Sequence, residues 1–227
     1  IIGLSDATAL LLGIYHKTGL VTFYGPALAT GFGEFAPLVD VTYACFKDVL
    51  APQGHADYTY IQPKEWTDEM IDWESQVRPK RCQANHVEFA GHGRVSGRLI
   101  GGNLNTMWSI WGSPYIPEIK TGDILLIEDS FKHISTVERL FMFLRLNGIF
   151  DRVSAIVLGK HEQFDGAGSG RKPITVLQEV LDGLSVPIVS DFDCAHTHPV
   201  LTMPIGGQAC IDFDAETVTL KAPWTAT

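Results

Sequence analysis

An α/β fold is predicted for this chain by three observations. Short continuous apolar runs, of which Ile124–Leu125–Leu126–Ile127 is the clearest, read as strands buried on both faces. Segments with helical apolar spacing, such as Val137–Asn147, alternate with those runs. Glycine and proline punctuate the joints between them. Strands alternating with helices in the middle of the chain imply an α/β fold.

Taken in order, Ile1–Ile2–Gly3 reads as the end of a buried strand. Asp6–His16 follows as a helix with Leu10, Leu11, Ile14 and Tyr15 on its apolar stripe. Gly19 stops that helix, and Leu20–Tyr24 is a short strand. Gly25–Pro26 and Gly31–Phe32–Gly33 mark a loop before a helix over Val39–Leu50, with Val41, Cys45, Phe46 and Leu50 along one side. Residues 51–85 are polar and broken by Pro52, Gly54, Pro63 and Pro79, so they form an irregular excursion with one short helix, Trp66–Trp73. An excursion of this length in a compact chain is usually a functional lid or an inter-domain linker.

From His86 the pattern changes. His86–Ala90 and Val95–Ile100 alternate like strands around Gly91–His92–Gly93, and Gly101–Gly102–Asn103 opens a helix reaching Trp111. The buried run at 124–127 leads to the amphipathic helix Val137–Asn147, with Leu140, Phe141, Phe143, Leu144 and Leu146. Val153–Leu158 is another buried strand, Gly166–Gly170 a flexible loop, and Ile174–Leu181 a helix. Pro187–Val189 is a strand, and Ala209–Asp212 with Thr217–Lys221 forms a closing hairpin. A boundary near residue 85 divides a short α/β piece, 1–85, from a larger α/β domain, 86–227.

The 227 residues carry a net charge of −9, with 45% hydrophobic and 19% charged residues, as expected of a soluble globular protein. The acidic balance and the lack of a basic cluster argue against nucleic-acid binding. No C-x-x-C joins Cys45, Cys82, Cys194 and Cys210, so reduced thiols are expected. With no long apolar run and no signal-peptide pattern, a cytoplasmic protein without membrane attachment is expected. A chain that opens inside an apparent strand is also expected to lack residues that precede it.

Three places carry candidate chemistry. Ser5 stands between strand and helix, where a sharp turn would lift its hydroxyl toward the helix's unpaired N–H groups. That is the logic of a nucleophile elbow, although Ala7 replaces the second glycine of G-x-S-x-G. The competing reading is a plain helix N-cap. Glu128 and Asp129 end a buried strand, where open α/β sheets place ligand sites, although Asp129 or Ser130 would equally serve to cap the next helix. Asp191, Asp193, His196 and His198 fall within eight residues. They fit a general base paired with Ser5 and Glu128, a metal site, or structural hydrogen bonding. Gly91–Gly93, Gly101–Asn103 and the GAGSG loop complete no phosphate-binding motif.

Five stretches, GLSDATAL, GRLIGGNLNTM, GDILLIEDS, GIFDRVSAIVLGKHEQF and DFDCAHTHPVLTMPIGG, run in one order from end to end. Together they resemble the LD-carboxypeptidase and microcin C self-immunity family of serine peptidases, with IEDS, HTHP and GKHEQF nearer the self-immunity branch. The resemblance implies a partial Rossmann-like nucleophile domain followed by a smaller, swivelling C-terminal α/β domain. It assigns Ser5 as nucleophile, Glu128 as triad acid and His196 as base, with the Asp6 backbone N–H as oxyanion donor and His198 not the base. It implies no metal or cofactor, a small-molecule substrate and a homodimer. Trp73 and Trp66 fall where a loop stacking on a nucleobase is expected, and Asn103 is expected in substrate binding. Family members carry about a hundred further residues before the serine, a common domain size. Weak or no catalysis by this chain alone is therefore expected. The implied reaction is release of an aminoacyl or peptidyl group from a nucleotide analogue. The alternatives are removal of D-alanine from a murein tetrapeptide, a non-catalytic binding module, and metal-dependent hydrolysis at 191–198.

Overall fold

The structure is a computed structural model and describes residues 1–52, 54 and 56–225; Gln53 and His55 of the excursion lie outside the described residues. At its start β1 (Ile2–Gly3) runs parallel to β2 (Thr22–Tyr24), and α1 (Ala7–Thr18) makes the crossover between them. Gly19, at φ +72°, closes α1 by donating its N–H to the Tyr15 carbonyl. The core-facing stripe of α1 is Thr8, Leu11 and Leu12, which pack toward β2, the large sheet and a later helix. Leu10, expected on that stripe, is 67% exposed, because i, i+3, i+4 spacing from Thr8 points it outward. After β2 come α2 (Leu28–Phe32), where the sequence suggested loop, and α3 (Leu38–Leu50), which buries Leu38, Thr42, Cys45 and Val49.

The excursion holds no helix at Trp66–Trp73. Instead β3 (Tyr58–Thr59) joins the large sheet, while β4 (Glu65–Trp66) pairs antiparallel with β5 (Gln83–Ala84). Tertiary contacts override the local pattern. The Thr67 and His198 backbones exchange hydrogen bonds at 2.9 Å in both directions. Glu69 is held by the Arg78 guanidinium at 2.9–3.0 Å and by Arg81 through Nε and the backbone N–H. Those fork-shaped contacts drive the Glu69 carboxyl far below the usual carboxylate range.

The large sheet is built on β6 (Glu88–Ala90), β7 (Arg94–Asn103), β8 (Ile124–Glu128), β9 (Ala155–Gly159), β10 (Ile188–Phe192), β12 (Gln208–Asp212) and β13 (Thr217–Lys221). Among the described residues its order is β3-β13-β12-β7-β8-β9-β10-β6. Strands β7 to β10 are parallel neighbours, joined in turn by α4 (Leu104–Ser109), α5 (Ile134–Leu146) and α6 (Pro173–Val180). All five residues of β8 and of β9 are buried, as strands covered on both faces must be. The β12–β13 hairpin forms as read.

Three expectations are corrected here. Gly101–Asn103 belong to β7, so α4 starts at Leu104 and ends at Ser109, short of Trp111. The strands around Gly91–Gly93 do not pair with each other: β6 lies beside β10 at one edge and β7 beside β8 and β12. Leu146 is exposed, standing at the last turn of α5, whose buried side is Val137, Leu140, Phe141 and Leu144.

One further strand was not read from the sequence. β11 (Met203–Ile205) pairs antiparallel with β2 and completes a three-stranded sheet with β1. Thus β3, before residue 85, belongs to the large sheet, and β11, after it, to the small one. The C-terminal ends of β1 and β2 and of β7, β8 and β10 deliver the candidate residues to one place.

Candidate active site

Ser5 sits at φ +59°, in the left-handed region that a residue with a side chain rarely adopts. The turn can be this tight because both flanking positions are small. A Cβ placed on Gly3 would lie 2.5 Å from the Ala7 Cβ, so strand and helix approach closer than larger residues allow. The Ala7 N–H donates to the Leu4 carbonyl and the Thr8 N–H to the Ser5 carbonyl, which closes the first turn of α1. The N-cap position is held by Asp6 rather than Ser5, with no side-chain cap bond. The Asp6 carboxylate accepts instead from Thr106 Oγ1 at 2.8 Å. A cap role for Ser5 is therefore not what the fold uses. Its hydroxyl and the Asp6 N–H have no partner among the described residues.

Glu128 ends β8, fully buried, and three side chains converge on it. Tyr24, at the end of β2, donates its hydroxyl at 2.6 Å to Oε1. Asn103, the register partner of Glu128 on β7, donates Nδ2 to the same oxygen at 2.9 Å. His196 Nδ1 lies 2.7 Å from Oε2. Burial alone would push the Glu128 carboxyl up, but these bonds reverse it and hold the group below its usual 4.5. Capping does not explain the acids, since α5 is capped by His133, whose Nδ1 accepts from the Ser135 N–H.

The Tyr24 hydroxyl also accepts the Ser5 N–H at 3.1 Å, so one oxygen ties the elbow to the acid. A second tie runs beside it. Thr8 Oγ1, on the first turn of α1, accepts the Asn103 N–H at 2.9 Å. Gly102 permits this approach, because at φ +146° its added Cβ would stand 2.7 Å from that oxygen.

His196 lies on the loop after β10. An ionised carboxylate only accepts, so Nδ1 carries the proton toward Glu128 and Nε2 presents its lone pair. Burial pulls the imidazole pKa down, and the Glu128 hydrogen bond and charge more than restore it, leaving it above 6.5. The loop is anchored by Asp193, which is fully buried. Its carboxylate pairs with Lys160 at 2.8 Å and accepts from Asn85 at 2.8 Å, and its carbonyl takes the Leu201 N–H. His198 is buried and stays neutral, burial and Lys80 pulling it down to about 4. Asp193 and His196 thus serve different partners, and the buried His198 Nδ1 has none among the described residues. Among the described residues no three His, Cys, Asp or Glu side chains gather as a metal site.

A cavity of about 210 Å³ opens beside His196. Leu4, Met70, Trp73, Lys80, Glu162 and His198 are among its walls. Trp73 is 60% exposed at this wall. Trp66 is placed elsewhere, its ring 5.2 Å from the Lys160 ammonium and not on the cavity wall. Asn103 is buried against Glu128 and orients the acid. Sequence reading missed Tyr24, Lys80 and Glu162. Only Tyr24 left a signal, as a tyrosine in an apolar strand whose hydroxyl needs a buried partner.

Residues 96–211 match the LD-carboxypeptidase C-terminal domain. The chain is also 56% identical over 229 residues to the microcin C7 self-immunity protein MccF of Escherichia coli, covering 100% of this chain and 67% of that one. It belongs to the LD-carboxypeptidase family. The matched domain runs from within β7 into β12 and so holds Glu128 and His196, while Ser5 lies before it. Among solved structures of the family, MccF in complex with aspartyl sulfamoyl adenosine superposes with a TM-score of 0.97 at 56% identity, covering 100% of this chain and 68% of that one. The muramoyltetrapeptide carboxypeptidase of Oxalobacter formigenes superposes at 0.73 with 25% identity, covering 96% and 66%. This chain thus spans about two thirds of the length of these family members. Among its described residues no helix is long and apolar enough to cross a membrane.

Proposed function

We propose that this protein is a serine hydrolase of the self-immunity type, which cleaves the amide-like bond joining an aminoacyl or peptidyl group to a nucleotide analogue. The observation that carries the reading is the bridge Ser5–Tyr24–Glu128–His196, in which one tyrosine hydroxyl touches both the elbow and the acid. Support for the substrate class comes from MccF, solved with aspartyl sulfamoyl adenosine and with glutamyl sulfamoyl guanosine.

In this reading His196 Nε2 takes the Ser5 proton as Oγ attacks the acyl carbonyl. Glu128 holds the ring by Nδ1 and stabilises the imidazolium that forms. The Asp6 N–H, at the positive end of α1, receives the developing oxyanion. His196 then returns the proton to the leaving nitrogen, and water activated by the same imidazole releases the acyl group. The exposed Trp73 offers a face for the nucleobase, whereas Trp66, engaged with Lys160, stiffens the excursion behind it. Residues 1–85 supply the nucleophile and the stacking loop, and 86–227 the acid and base. The protein acts without a cofactor, as a cytoplasmic homodimer, a state that light scattering checks directly.

The test is incubation with an aminoacyl sulfamoyl-adenylate and, separately, a murein tetrapeptide, following product masses with Ser5→Ala as control. Nucleotide release that vanishes in Ser5→Ala supports the proposal. Loss of D-alanine would move the protein to the murein branch, which the likeness to the muramoyltetrapeptide carboxypeptidase keeps as the second reading.

A further inference from the structure

The segment Gly159–Phe164 follows β9, and its polar side chains are engaged with two exceptions, one of them the buried His161 Nε2. Lys160 pairs with Asp193 at 2.8 Å. His161 Nδ1 lies 3.1 Å from the Gly159 carbonyl, and Gln163 donates to the Asp68 carbonyl at 2.7 Å. The other exception is Glu162. It is only 6% exposed, yet its carboxyl takes no hydrogen bond from any described residue, and it lines the cavity beside His196. It has little freedom to turn away. Its backbone bridges to Ser130, and its carbonyl accepts the Phe131 N–H at 2.8 Å, continuing the β8–β9 ladder past the strand ends.

The charges around it do not satisfy it. Lys80 shares the cavity, but its ammonium is 3.0 Å from the Glu34 carboxylate, and both of those side chains are almost wholly buried. The His196 ring is committed to Glu128 through Nδ1, His198 is neutral, and Asp68 and Glu128 add negative charge. Burial is the main reason the Glu162 carboxyl is pushed up to about 7. Its oxygens face the cavity rather than protein donors, and a ligand that brings its own cation satisfies such a group more strongly than water does.

We propose that Glu162 determines acyl-group specificity by receiving a protonated amine on the acyl half of the substrate. The inference rests on the reading of this cavity as the acyl site of a serine hydrolase. An aminoacyl group carries an ammonium on the carbon beside the reacting carbonyl, and that carbonyl must sit at Ser5, the neighbour of the wall residue Leu4. A cavity of about 210 Å³ is smaller than the roughly 300–1,000 Å³ that encloses a whole drug-sized ligand. It accommodates the acyl half and leaves the nucleotide toward the exposed Trp73. A charge-assisted hydrogen bond there supplies a donor that no described residue provides. An acyl group with a blocked nitrogen has no cation to offer and leaves the carboxyl unpaired.

The test compares aspartyl sulfamoyl adenosine with its N-acetyl counterpart, measuring kcat/KM for the unaltered protein, Glu162→Gln and Glu162→Asp. A hydrogen bond to a charged group is worth about 1.5–3 kcal/mol, so the unaltered protein should prefer the free amine by roughly 10- to 150-fold. Glu162→Gln should bring that ratio to within about threefold of unity, and Glu162→Asp should restore part of it. Equal losses on both substrates in Glu162→Gln, with a lower melting midpoint, would mark a purely structural residue and overturn the proposal. So would a preference that survives the substitution. Turnover of neither substrate by the unaltered protein would overturn the reading of the cavity and the proposal with it.

Discussion

Replacing Tyr24 by phenylalanine removes one oxygen and leaves the ring, so the packing of a fully buried side chain is almost untouched. What is lost is a 2.6 Å bond to the Glu128 carboxylate and the acceptor for the Ser5 N–H at 3.1 Å. A bond to a charged group contributes about 1.5–3 kcal/mol, and a half-buried amide left without an acceptor costs about 1 kcal/mol. Tyr24→Phe should therefore destabilise the fold by about 3 kcal/mol at pH 7, measured by urea unfolding with linear extrapolation. The pH dependence has a definite sign. Glu128 has a depressed folded pKa, so its hydrogen bonds stabilise fully above its unfolded value near 4.5, and that stabilisation is lost as pH falls through the folded pKa. The gap between the two proteins should be complete at pH 7 and should narrow below 4.5. A loss under about 0.5 kcal/mol at pH 7, or a gap that stays constant into acid, would refute the argument that Tyr24 supports an ionised Glu128.

Further substitutions probe other links. Glu128→Gln should lower the His196 pKa, read from its imidazole resonances by NMR. The linked stability, present below about 6.5 and lost as pH rises through the raised folded pKa, should disappear with it. Lys160→Met leaves Asp193 charged and unpaired in the interior and should cost about 3–5 kcal/mol. The double variant with Asp193→Leu should regain much of that in the same unfolding assay. Trp73→Ala should leave the melting midpoint nearly unchanged while weakening nucleotide binding by calorimetry, by about 1–3 kcal/mol. Gly102→Ala forces a side chain to φ +146° and into Thr8, and a calorimetric scan should show a loss of at least about 1–3 kcal/mol.

Much of this architecture is legible in the chain because its elements are locally consistent. The run at 124–127 is a buried strand wherever it is placed, and α5 reveals itself by spacing alone. The strand-to-helix turn is also legible, although Ser5 by itself reads more readily as a cap; the N-cap position of Asp6 and the close approach of Gly3 to Ala7 remove that reading. The excursion was misread because Trp66 to Trp73 has helical spacing, while Thr67 pairs with His198 and Glu69 with two arginines, contacts that no local window contains. Tyr24 and Glu162 escaped notice for the same reason. Tyr24 acquires its role from Glu128, 104 residues away, and Glu162 from a cavity whose walls come from seven separate stretches. Asn103, expected in substrate binding, is buried in register with Glu128 and donates to its carboxylate, a contact that no local window contains.

The antiparallel pairing of β11 with β2 bears on when activity can arise. Met203 lies opposite Tyr24, so the strand carrying the bridging tyrosine keeps an open edge until β11, far along the chain, has been made. Contacts this distant along the chain are costly to close and are expected late in folding. Glu128 can be in place much earlier on its own parallel sheet, but His196 waits on a segment fixed at one end by β10 and at the other by β11. In a growing chain the surroundings of Tyr24 and Glu128 would therefore be completed only after β11 has been made.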